Sequence, residues 1–182
     1  MNGCTVIDST VSGNAAAFDG GSYGSTLTRC YVTNNTGVLG GGAGHGTFDS
    51  CIIRSNTADT YGGVSGGSLN NCLVIGNRAT SFYGGGAGNC TISNSTIVGN
   101  SAVTYGGGVI YYGTVYNSIV YDNSAAEGPN YHGPGGAEVQ FFYSCTTPLP
   151  GTGSNNITAA PLFQNAAAGN YQLAAGSPCM IH

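Results

Sequence analysis

Asparagine returns along this chain at a nearly fixed interval: Asn14, Asn35, Asn56, Asn77, Asn100 and Asn123, separated by 21, 21, 21, 23 and 23 residues. Each lies five residues after a Cys or Ser (Ser9, Cys30, Cys51, Cys72, Ser95, Ser118), with a β-branched residue between them (Val11, Val32, Ile53, Val74, Ile97, Val120). A period near twenty residues is the signature of stacked repeats, in which each unit buries its apolar face only against its neighbours.

Each unit resolves into three strand-like stretches. One runs Cys4–Val6, Ser25–Leu27, Gly46–Phe48, Gly67–Leu69, Cys90–Ile92 and Gly113–Val115, small then apolar at its first and third positions, as a strand with one inward face requires. A polar corner follows (Asp8, Arg29, Ser50, Asn71, Asn94, Asn117). The next stretch turns the Cys/Ser and Val/Ile positions inward and ends at the Asn, which can hydrogen-bond its equivalents above and below. A variable loop then leads to glycine runs such as Gly40-Gly41-Gly42 and Gly84-Gly85-Gly86, suited to a bend or a close backbone approach. These features predict an all-β parallel β-helix, a solenoid of about six coils of 21–23 residues over residues 1–123, roughly 30 Å long. Residues 124–182 are expected to form irregular final rungs and a C-terminal cap of the same domain, with Phe141, Phe142, Leu162, Phe163, Tyr171 and Leu173 as anchors.

Charged residues are 5% of the chain, lysine is absent, and Arg29, Arg54 and Arg78 are the basic side chains, for a net charge of −4. That disfavours a nucleic-acid partner, which needs a basic field. No apolar run reaches the ~20 residues of a membrane-spanning helix. Cys30, Cys51 and Cys72 share one repeat position, so they predict a ladder of buried thiols whose parallel side chains suit disulfides poorly. Cys145 and Cys179 lie outside that ladder and could pair. No C-x-x-C spacing points to zinc, and no cofactor is implied. Met1-Asn2-Gly3-Cys4 already lie within a repeat, so the chain is expected to be a piece of a longer protein, with any export signal outside it.

The run N-C-T-I-S-N-S-T-I-V-G-N-S-A…Y-G-G-G from Asn89 to Gly108 resembles right-handed parallel β-helix repeat proteins of bacterial surfaces, including the polymorphic outer-membrane-protein type and anchored secreted proteins. The tail from Ala160-Pro161-Leu162-Phe163 to Ser177-Pro178-Cys179 is similar to their closing segment. The resemblance implies a right-handed helix and an extracellular or cell-surface location. It leaves activity open, because the fold hosts lyases, hydrolases, adhesins and passive stalks.

Two surfaces are candidates for binding. Alternation puts Tyr31, Ile52, Leu73, Ile75, Val98 and Tyr121 on the outer side of the strand before each Asn, an apolar face that marks either a contact surface or ground covered by the residues after Ser124. Phe18, Leu39, Tyr61, Tyr83 and Tyr105 enter the glycine stretch on successive coils. They would either stack on sugar rings or fill an inner corner. Self-association could use the apolar face or the open N-terminal rung.

A column of Thr5, Thr26, Thr47, Ser68, Thr91 and Thr114 raises ice binding as an alternative, although the next outward column (Ile7, Thr28, Asp49, Asn70, Ser93, Tyr116) is mixed. A polysaccharide lyase or hydrolase is the other alternative. Hydrolysis needs paired carboxylates, and Asp8, Asp19, Asp49, Asp59, Asp122, Glu127 and Glu138 form no column on adjacent rungs. His45, His132 and His182 read as isolated turn residues. The resulting expectation is a non-catalytic extracellular segment, an adhesin or a glycan- or protein-contacting spacer.

Overall fold

In the structure, a computed structural model that describes residues 1–133 and 139–180, the chain winds through successive coils whose strands pair in parallel with those above and below. Glu138 and His182 lie outside the described residues. One sheet runs through Thr5–Ile7, Thr26–Thr28, Ala43–Asp49, Val64–Asn70, Ala87–Ser93, Gly113–Tyr116, Val139–Phe142 and Gly153–Ser154, with the short strands Ser22–Tyr23, Val109–Ile110 and Tyr131–His132 paired alongside. A second comprises Thr10–Ser12, Tyr31–Thr33, Ile52–Arg54, Leu73–Ile75, Thr96–Val98, Ile119–Tyr121 and Cys145–Thr146. Register is kept from coil to coil, so the Thr5, Thr26, Thr47, Ser68, Thr91, Thr114 series is one outward column. The chain is the all-β parallel β-helix that its period predicts.

Two details differ from the sequence expectation. The glycine stretch leads into a separate strand in only some coils, as at Ser22–Tyr23 and Val109–Ile110. In Ala43–Asp49, Val64–Asn70 and Ala87–Ser93 it continues into the next stretch, bending at His45, Gly66 and Asn89, whose φ angles are +53°, +74° and +55°. The variable loop also carries a third, narrow sheet of Thr36–Gly37, Thr57–Ala58 and Arg78–Ala79.

Between the sheets runs a core of stacked columns: Leu27, Phe48, Leu69, Ile92, Val115 and Phe141 from the first sheet meet Val32, Ile53, Val74, Ile97 and Val120 from the second, all fully buried. Each such side chain contributes about 1.5–3 kcal/mol by leaving water. The Asn residues line one corner of this core. In Asn35, Asn56, Asn77 and Asn100 the backbone N–H and the side-chain amide both donate to Oδ1 of the Asn one coil on, at 2.9–3.0 Å. The same amide reaches back to the carbonyls of Val11, Val32, Ile53 and Val74. Asn123 passes the ladder to Asn130, whose amide bonds the Thr147 carbonyl at 2.9 Å. Asn130 follows by only seven residues, so the period conceals it.

The Cys/Ser column works in the same way. Its side chains donate to the carbonyl two residues back (Cys51 to Asp49, Ser95 to Ser93), and Cys51 Sγ, Ser95 Oγ and Ser118 Oγ accept the backbone N–H of Cys30, Cys72 and Ser95 in the preceding coil. Thiol and hydroxyl interchange there because both donate and accept.

The C-terminal cap is an antiparallel hairpin of Phe163–Asn165 and Asn170–Leu173, followed by a 3-10 turn at Pro178–Met180. Phe163 and Tyr171 pack edge-to-face at 5.2 Å. The hairpin lies against the outer side of the second sheet, where a cavity of about 220 Å³ is lined by Thr96, Ile119, Cys145, Leu173 and Cys179 among others. Of the expected anchors, Phe141 belongs instead to the core column, and Leu162 is exposed. No helix among the described residues is long and apolar enough to cross a membrane.

Candidate functional site

The outer surface of the glycine-rich half of the first sheet is nearly bare backbone, and aromatic rings lie on it. A Cβ placed on Gly88 would fall 2.1 Å from the Tyr61 ring, and one on Gly84 would fall 2.6 Å from it, so these glycines are what let the ring rest against the next coil. The Asn89 amide donates to the Tyr61 hydroxyl at 3.2 Å. Tyr83 and Tyr111 close an edge-to-face triad with Tyr61, at centroid distances of 5.8, 6.4 and 4.9 Å. One coil on, Tyr105 stacks on His132 at 4.7 Å. All five side chains are half-buried and stand outside the hydrophobic core. Burial, with Tyr83 alongside, pushes the Tyr61 phenol up to about 12, although the Asn89 hydrogen bond opposes it. Burial and contact with Tyr83 also raise Tyr111. Tyr61 and Tyr111 are therefore neutral hydrogen-bonding groups at any physiological pH.

The tyrosines do not share one column. Gly20, Gly41 and Gly62 donate their N–H groups to the carbonyls of Gly40, Tyr61 and Gly84, so Tyr61 occupies the register of Gly40 and Gly84. Tyr83 and Tyr105 pair with one another and then with Glu127. Tyr61 takes a left-handed φ of +54°, as Gly84 and Gly106 do at +76° and +61°, and this turns its ring along the surface.

Lower on the same face, an open cleft of about 520 Å³ is lined by Ala16, Ala17, Phe18, Asp19, Tyr23, Leu39 and His45. Asp19 reaches over Gly40 and Gly44, where a Cβ would come within 2.1 and 2.4 Å of its carboxylate. It accepts from Ser65 Oγ, two coils away, at 2.6 Å. Its residual exposure is 9%. Burial raises its pKa, while the Ser65 hydrogen bond, the nearby His45 and the Gly40 N–H pull it back. Tyr23 packs on His45 at 5.4 Å, and Phe18 is 67% exposed. The repeat spacing puts Asp19 in no acidic column and makes His45 an isolated turn residue, so neither is marked by the sequence pattern. The available signal was an acid directly before Gly20-Gly21, at a position filled by glycine in Gly40-Gly41-Gly42.

On the second sheet's outer side, Tyr31 is exposed and Ile52, Leu73, Ile75 and Tyr121 are half-buried. Val98 is buried at 2% exposure. The hairpin residues Asn170 and Tyr171 share a recess with Leu73 and Thr96, so the C-terminal segment folds onto the later coils of this face and leaves Tyr31 clear. The acids are dispersed: Asp8 pairs with Arg29 at 2.7 Å on an exposed corner, Asp49 accepts from Asn70, and Asp59 accepts from Thr80 and Ser81. Among the described residues no group of three or more His, Cys, Asp and Glu side chains is placed to hold a metal ion.

A family model described as a right-handed β-helix region matches residues 1–125 of the chain. No curated protein and no solved structure matches it.

Proposed function

The chain belongs to the right-handed β-helix family, and from that premise we propose that it is a non-catalytic extracellular or cell-surface segment whose glycine-backed aromatic face binds carbohydrate. One observation carries the reading: Tyr61, Tyr83 and Tyr105 lie outside the core and partly exposed, Tyr61 over the bare backbone of Gly84 and Gly88, with Tyr111 and His132 packed beside them. Aromatic faces next to a few fixed polar groups are what a sugar ring uses, its C–H faces on the rings and its hydroxyls on the phenols and the Asn89 amide. Coils repeat every ~4.8 Å, so the face suits an extended chain rather than a single ring. Lysine is absent and Arg29, Arg54 and Arg78 belong to other parts of the coil, which favours a neutral glycan over a uronate. The Asp19 cleft holds one carboxylate among its lining residues, whereas carboxylate-pair hydrolysis needs two.

A glycan array probed with the wild-type chain and with Tyr83→Ala tests the proposal. Binding to neutral oligosaccharides that falls about tenfold or more in the folded variant is expected, about 1.4 kcal/mol for one lost ring. Equal binding by both proteins, or silence across the array, would contradict it.

A further inference from the structure

Of the seven cysteines, all free, five sit in the repeated coils and two, Cys145 and Cys179, lie in distant later segments. Cys145 belongs to the last strand of the second sheet, in register with Ile119 on its outward side, yet it is buried because the cap lies over it. Cys179 is in the 3-10 turn Pro178–Met180, half-exposed, and lines the same cavity. The turn is held in place by Ser177, itself 1% exposed, whose hydroxyl bonds the Pro161 carbonyl and accepts the Cys179 N–H. Both residues thus line one cavity, and the Cys145 thiol donates to the Ala159 carbonyl at 3.1 Å.

We propose that Cys145 and Cys179 are a disulfide site that staples the C-terminal cap to the last coil. The two residues line one cavity from a strand and a 3-10 turn that are not ladder neighbours, so nothing in the repeat forces their Cβ–S bonds to run parallel. Ladder neighbours such as Cys51 and Cys72 instead project side by side at the start of paired parallel strands, which is poor disulfide geometry. The oxidant is a small-molecule or protein disulfide, as in any oxidising compartment. The half-exposed Cys179 thiolate attacks it, forming a mixed disulfide and releasing one thiol. Cys145 then gives up its proton and attacks the Cys179 sulfur, releasing the second thiol. Two protein thiols lose two protons and two electrons, and the oxidant's disulfide becomes two thiols. The bond closes a long loop and restricts the unfolded chain, so oxidation raises stability.

The test is incubation of the folded chain with oxidised glutathione, alkylation of remaining thiols, and chymotryptic mapping by mass spectrometry, because three arginines leave trypsin too few sites. A linked Cys145–Cys179 peptide is expected, together with a Tm several degrees higher than the reduced protein, reversed by reductant and absent in Cys179→Ser. Cys179 is the residue to replace, since its half-exposed position lets the variant fold. Complete alkylation of both residues after oxidation, or a bond mapped to Cys51 and Cys72, would overturn the proposal.

Discussion

At Asn56 one amide closes a corner of the solenoid: its oxygen accepts two hydrogen bonds from Asn35, and its nitrogen donates to Val32 and Asn77, all buried. Asn56→Ala strands the two Asn35 donors without water, at about 1–3 kcal/mol for each orphaned group. A loss of about 3–5 kcal/mol in chemical denaturation is expected, against under about 1 kcal/mol for Asn14→Ala, whose residue is exposed at the start of the ladder. Similar losses at both positions would mean that the ladder is not what holds the corner. Asp19 offers a second test. Its native pKa is raised, first by burial, so the folded state holds this proton more tightly than the unfolded chain does. Its contribution to stability is therefore lowest above the folded pKa, rises as pH falls through it, and levels off below the unfolded value. Asp19→Asn keeps an acceptor for Ser65 and removes the buried charge, so its Tm should exceed the wild type's at neutral pH, with the gain gone by about pH 3. A difference that ignores pH would refute this account of the site.

Glycines in the first sheet do two jobs that one substitution each can separate. Gly41 faces the next coil, where an added Cβ would lie 2.2 Å from the Gly62 carbonyl oxygen. Gly41→Ala must push two coils apart, and a loss of about 3 kcal/mol or failure to fold is expected. Gly88 instead faces outward, so Gly88→Ala should displace the Tyr61 ring and weaken glycan binding while leaving the thermal transition within a few degrees. A variant that folds and binds like the wild type would remove Tyr61 from the site. This is also the scale at which sequence reading succeeds and fails. The ladder and core columns were legible because Asn77 and Cys72 recur in step with residues that pack identically. The place of Tyr61 was not, because Gly84 lies seven residues after Asn77 where Tyr61 lies five after Asn56. Those two extra residues slide the tyrosines past one another in sequence without disturbing the core. Asn130 and Asp19 escaped for a related reason: each takes its role through a contact between coils that no local spacing encodes.

Over the whole molecule, stacking makes one long surface from residues that individually say little. The aromatic face runs from Phe18, Tyr23 and His45 through the Tyr61, Tyr83 and Tyr111 triad to Tyr105 and His132. The second sheet's outer side is by contrast partly occupied by the protein's own cap. The repeat dictates that such faces exist, and only the folded chain reveals which of them is free. Hydroxyl-radical footprinting with the strongest neutral oligosaccharide from the array tests this most directly. Protection at Tyr61, Tyr83, Tyr105 and Tyr111, with Tyr31 and Tyr171 unchanged, is the result expected of a carbohydrate-binding aromatic face. Protection centred on Tyr31 and its neighbours, with the triad still oxidised at its free rate, would contradict it.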